Sequence, residues 1–147
     1  LSNAYNQETP TNEDIEMFKW IKDNTPQQSK ILALLEEGHL VTYYAKRKNL
    51  MDDQFTLIDD VKTKFIDLNS LYESNFQTEA VEILNENKIG YLTYSVRAKE
   101  KYNRSTFKYH SIDCFNRIYD KEARIYSSKC TINKIEKNEK TNHNKTK

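Results

Sequence analysis

The apolar run Ile31-Leu32-Ala33-Leu34-Leu35, set between Pro26 and Gly38, constrains this chain more than any other feature. Five consecutive residues without a polar member suit a strand buried on both faces, and such strands belong to parallel sheets covered by helices. The flanking sequence agrees. Ile15, Phe18 and Ile21 recur at helical spacing, widened by Met17 and Trp20, and predict a helix over 12–23. Thr11 and Asp14 have capping-box spacing, and Pro26 disfavours helix at Thr25. Past Gly38, read as a chain break, a short helix is expected over 39–48 and a second strand over 50–52. Ile58, Val61, Phe65, Leu68 and Tyr72 define a helix over 59–73, and Ala80, Val81, Ile83 and Leu84 another over 78–87. A strand follows over 89–96, then a helical turn or two over 97–102. Runs at 114–119 and 123–127 form a hairpin around Asp120-Lys121-Glu122. The order α-β-α-β-α-α-β-α followed by a hairpin predicts one α/β domain: a small, mostly parallel central sheet flanked by helices, with a C-terminal antiparallel hairpin.

With 147 residues the chain fits one domain with a real core. Residues 1–11 read as a tag scar (Ser2-Asn3-Ala4) and a flexible lead, 12–137 as the domain, and 138–147 as a disordered polar tail. A formal net charge of +1 supplies no field for nucleic acid, and none is expected as a partner. No run of about 18 apolar residues is present. The only glycines, Gly38 and Gly90, exclude a glycine-rich phosphate loop, which needs several within a few residues.

Two acidic pairs, Glu36-Glu37 and Asp52-Asp53, each follow an expected strand, and open α/β sheets bind ligands beyond the carboxyl ends of their strands. Such carboxylates can hold a cation or sugar hydroxyls; equally, they solvate loops and cap helices. His39 stands at an expected helix start, as a cap or a base, with no nucleophile motif nearby. Arg47, within Lys46-Arg47-Lys48, offers a planar fork for phosphate or an ion pair to a carboxylate. Arg97, ending the third strand, is read in the same way. The candidate contact surface is therefore Glu36, Glu37, His39, Arg47, Asp52 and Asp53. No catalytic residue, metal or cofactor is assigned.

Pairing Tyr119 with Ile125 and continuing outward sets Cys114 opposite Cys130. Directly opposed residues bring Cβ atoms within about 4.5–5.5 Å, close to disulfide range. A cross-strand disulfide, implying an oxidising compartment, and two reduced thiols both fit. His110 and Cys114 lack the further ligands that zinc needs. Asn103-Arg104-Ser105 and Asn144-Lys145-Thr146 match the N-glycosylation acceptor pattern, at a frequency this composition gives by chance.

The run Trp20-Ile21-Lys22-Asp23-Asn24-Thr25-Pro26, followed by a strand, Glu36-Glu37-Gly38-His39, Tyr43-Tyr44, Arg47 and Asp52, resembles the soluble portion that follows the membrane spans in archaeal oligosaccharyltransferase-like proteins. These belong to the lipid-phosphate-sugar-dependent membrane glycosyltransferases. The hairpin residues Phe115 to Tyr119 and Arg124 to Tyr126 are similar to the closing strands of such domains, so the likeness runs from about Asn12 to Cys130. The family's Trp-Trp-Asp-Tyr-Gly motif falls where this chain has Leu34-Leu35-Glu36-Glu37-Gly38. The tryptophans are absent, so the motif's part in sequon recognition does not carry over. The family's catalytic carboxylates lie between membrane spans. The resemblance implies a non-catalytic domain on the exterior face of the membrane, tethered to the transmembrane portion of its own parent chain, in contact with acceptor polypeptide or glycan. The alternatives are a freestanding metal-dependent enzyme using the strand-end carboxylates and a protein-interaction module.

Overall fold

The computed structural model describes residues 9–52, 58–109 and 111–131. Asp53, His110, Asn144 and the expected tail lie outside the described residues. Among these residues, five α-helices and one five-stranded mixed sheet follow in the order α1 (Asn12–Asn24), β1 (Lys30–Leu32), α2 (Gly38–Leu40), β2 (Lys48–Asn49), α3 (Ile58–Glu73), α4 (Gln77–Glu86), β3 (Tyr91–Tyr94), α5 (Val96–Tyr102), β4 (Phe115–Asp120) and β5 (Arg124–Ser128). The spatial order is β2-β1-β3-β5-β4. β1 runs parallel to both β2 and β3, while β5 is antiparallel to β3 and β4. This is the expected α/β architecture.

Strand alternation divides the core in two. Leu32 and Leu34 pack with Leu68, Leu71 and Tyr72 of α3, with Ala80, Val81 and Leu84 of α4, and with Leu92, Tyr94, Phe107, Phe115 and Tyr126. Ile31 and Ala33 point to the other face, against Met17, Phe18 and Ile21 of α1 and against Leu40, Val41 and Ala45. The alternation in β4 is reset by a bulge between Arg117 and Tyr119. Phe115 consequently lies in the first core and Tyr119 in the second, although an even spacing of four positions would set them on one face.

Four local expectations change, the first two through a side chain. β1 stops at Leu32, because the Leu34 N–H is taken by the Glu37 carboxylate (3.1 Å) instead of a neighbouring strand. Residues 50–52 form a 3-10 turn where a strand is expected: Asp52 accepts from the Asn49 N–H (2.9 Å), and the Asn49 side chain accepts from the Met51 N–H (2.7 Å). The pairing strand is Lys48–Asn49. The helix expected over 39–48 is two pieces, α2 and a π-helical turn (Val41–Ala45) closed by Lys46 in the left-handed region. Gly38 does not break the chain: it is helical, and an added Cβ would stand 3.2 Å from the Asn49 amide nitrogen.

The hairpin keeps the expected pairing of Tyr119 with Ile125, but the bulge shifts the outer register to Phe115 opposite Ser128. Cys114 and Cys130 are disulfide-bonded nonetheless, with Cα atoms 4.9 Å apart. Both lie just beyond the strand ends, where the ladder no longer fixes their spacing.

Candidate functional site

In the order β2-β1-β3, the chain leaves β1 toward one side and returns to β3 on the other. The carboxyl ends of β1 and β3 thus flank a topological switch point, where α/β sheets open a crevice. A cleft of about 460 Å³ lies here, lined in part by Thr11, Asp14, Glu36, Glu37, His39 and Arg97. The turn after β1 (Leu35–Glu37) forms one wall, and the N-terminus of α5 after β3 forms the other.

The two neighbouring glutamates have opposite environments. Glu36 is 34% exposed in its side chain and ion-paired to Lys101 (3.3 Å) and Arg97 (3.6 Å). Partial burial pushes its pKa up, but its own backbone N–H, Lys101 and Arg97 outweigh this and hold it below the ordinary value. Glu37 is 1% exposed. One carboxylate oxygen accepts from Leu34, and the other, Oε2, has no hydrogen-bond partner among the described residues. Burial raises its pKa to about 7; Ser95 and the Leu34 N–H pull it back, while Asp14 and Glu36 push it further up. A carboxyl group at that value exchanges its proton near neutrality.

Asp14, 2% exposed, is the residue that sequence reasoning missed. It caps a helix other than its own, accepting from the Val96 N–H (2.8 Å) and the Arg97 N–H (3.3 Å) at the start of α5. Those donors have no partner within their own helix, and the positive end of the helix dipole favours a carboxylate there. Ser95 completes the cap by accepting from Ala98 (3.0 Å). The capping box expected from Thr11 and Asp14 is therefore half-formed: Thr11 accepts from the Asp14 N–H (3.1 Å), but the Asp14 carboxylate serves α5. Burial raises the Asp14 pKa, opposed chiefly by the Val96 and Arg97 N–H groups. A sequence signal was present, because Asp14 occupies the buried stripe Asp14-Met17-Phe18-Ile21. A carboxylate at that spacing on an apolar face marks a buried polar contact.

The structure brings Glu36, Glu37 and His39 together at the cleft, while Arg47 and Asp52 do not line it. Arg47, 9% exposed, makes no ion pair with a carboxylate among the described residues. It donates to the carbonyls of Lys22 (3.0 Å), Thr25 (2.8 Å) and Lys46 (2.9 Å), and to the Thr25 hydroxyl (3.2 Å). This ties the negative end of α1 to the π-helical turn. Asp52 closes the turn after β2. Among the described residues, no three His, Cys, Asp or Glu side chains are grouped to hold a metal ion. The cleft carries more carboxylates (Asp14, Glu36, Glu37, Glu100) than cations, so it favours hydroxyl or cationic donors.

These features define an α/β domain with an acidic switch-point cleft. No protein-family model and no curated protein matches the chain. Among solved structures, it is similar to the C-terminal globular domain of an oligosaccharyltransferase from Archaeoglobus fulgidus, with a TM-score of 0.58 and 16% identity over 82% of this chain and 99% of that one. At this identity the likeness is one of fold. No helix among the described residues is long and apolar enough to cross a membrane.

Proposed function

We propose that this chain is an exterior globular domain of an archaeal multispan membrane glycosyltransferase-like protein. In this reading it is non-catalytic: it packs on the transmembrane portion of its parent chain and presents the Glu36-Glu37-His39 cleft to acceptor polypeptide or glycan. The observation that carries this reading is the fold likeness, which spans 99% of the oligosaccharyltransferase domain. The resemblance of the run from Trp20 to Asp52 supports it, as does the Cys114–Cys130 disulfide, since such bonds persist in oxidising compartments. The metal-enzyme alternative has no ligand cluster among the described residues to support it.

The test is fractionation of the protein from its own cells. The reading expects the chain in membranes after an alkaline carbonate wash, and open to protease added outside intact cells. Recovery in the cytosol overturns it. For the cleft, replacing Glu36 and His39 by Ala should lower glycan transfer with the amount of membrane-bound protein unchanged. Unaltered transfer removes the cleft from the reading.

A further inference from the structure

We propose that Asn103 is an N-glycosylated residue of this domain; the inference rests on the exterior location proposed above. The acceptor pattern Asn103-Arg104-Ser105 lies where α5 ends. Asn103 is the helix C-cap, with φ 51° and ψ 45°. This is the left-handed conformation that asparagine tolerates at a helix exit. Asn103, Arg104 and Ser105 are all exposed, and residues 103–109 form neither helix nor strand. The loop is short and anchored at both sides: Phe107 is buried, and the Ser105 carbonyl accepts from Arg124 (3.3 Å). The acceptor is thus a projecting turn on a firm base.

Other asparagines provide the contrast. The side-chain amide of Asn85 donates to the carbonyls of Val81 (2.8 Å) and Cys130 (3.1 Å), and that of Asn87 to Asp67 (3.1 Å) and Ile83 (2.9 Å). The amide of Asn24 donates to Trp20 (2.9 Å). Asn116 is exposed, but Ile118 stands where a hydroxyl is required. Asn103 combines exposure, an amide with no partner among the described residues and a hydroxyl residue two positions on. The Cys114–Cys130 disulfide is an independent sign of the oxidising compartment in which such sites are modified.

The step needs a lipid-phosphate-linked glycan donor and a transferase. The Asn103 Nδ2 forms a bond to the anomeric carbon as that carbon's bond to the phosphate oxygen breaks. The lipid phosphate leaves with the electron pair, and the amide gives up one proton to a carboxylate base of the transferase.

The test is mass spectrometry of the full-length protein from its own cells, digested after glutamate so that residues 101–122 form one peptide. The expected result is a glycan mass on Asn103, abolished in Ser105→Ala and retained in Ser105→Thr. An unmodified peptide from protein that is open to external protease and disulfide-bonded overturns this inference alone. Cytosolic, reduced protein overturns the proposed function and this site with it.

Discussion

The core under α3 and α4 and the rim around α1 hold the same sheet by different means. The first is aromatic: Tyr72, Tyr94, Phe107, Tyr109 and Tyr126 pack ring on ring, with Tyr94 and Phe107 edge to face at 4.9 Å between centroids. Two of its hydroxyls are tied locally, Tyr72 to the Thr93 carbonyl (3.0 Å) and Tyr109 to the Leu71 carbonyl, whereas that of Tyr94 has no hydrogen-bond partner among the described residues. The second joins apolar residues of α1, Met17, Phe18 and Ile21, to three buried charge-bearing groups, Asp14, Glu37 and Arg47. Rings lose little when the pH changes and much when volume is removed, whereas buried carboxyls behave the opposite way. The cleft lies on the rim, where ionisable groups are already withdrawn from water.

The largest test of this contrast is Phe107→Ala. Truncating a fully buried ring should cost about 3–5 kcal/mol in urea unfolding. The loss should be equal at pH 5 and pH 8; a strongly pH-dependent loss would erase the distinction between the two regions. Next is Glu37→Gln. The folded pKa of Glu37 is raised, so its contribution is fully present below the ordinary carboxyl value. It is lost as pH rises toward and through about 7. Across that window wild type should give up as much as about 3 kcal/mol. Asp14, also raised, adds in the same direction. The variant mimics the protonated form, so it should match wild type near pH 5 and exceed it near pH 8. The same difference at both pH values would show that Glu37 does not titrate in the fold.

A smaller effect is expected for Arg47→Ala, which strips the carbonyls of Lys22, Thr25 and Lys46 of a charged donor. About 2 kcal/mol should be lost, with Arg47→Lys recovering only part because an ammonium cannot span those acceptors. Full recovery by Lys would reduce the guanidinium to a point charge. The smallest change belongs to Glu36→Gln. Its pairs with Arg97 and Lys101 are partly solvated, so less than about 1 kcal/mol should be lost, and salt should diminish the difference.

The alternation of elements was legible because helices and buried strands leave different apolar periods. The run after Pro26 and the stripe through α3 needed no tertiary information. Boundaries were less legible where one side chain redirects the backbone, as Glu37 does at Leu34 and Asn49 does at Met51. That Glu36, Glu37 and His39 stand at the same sheet edge is legible because they follow a strand directly. Asp14 was missed because its partners, Val96 and Arg97, lie more than eighty residues away. Arg47 was read as a ligand group because sequence displays its charge, while the carbonyls it binds are backbone and carry no sequence label.

Local pattern alone settled the α/β class, the order of elements and the turn that bears the paired glutamates, since hydrophobic period and strand-end position are properties of neighbouring residues. Tertiary structure decided which glutamate is exposed and which is buried, that the hairpin bulge hands Phe115 and Tyr119 to opposite cores, and that Arg47 binds a helix end. Those outcomes depend on desolvation and on partners distant in the chain, and adjacent residues of one chemical type can therefore meet opposite fates.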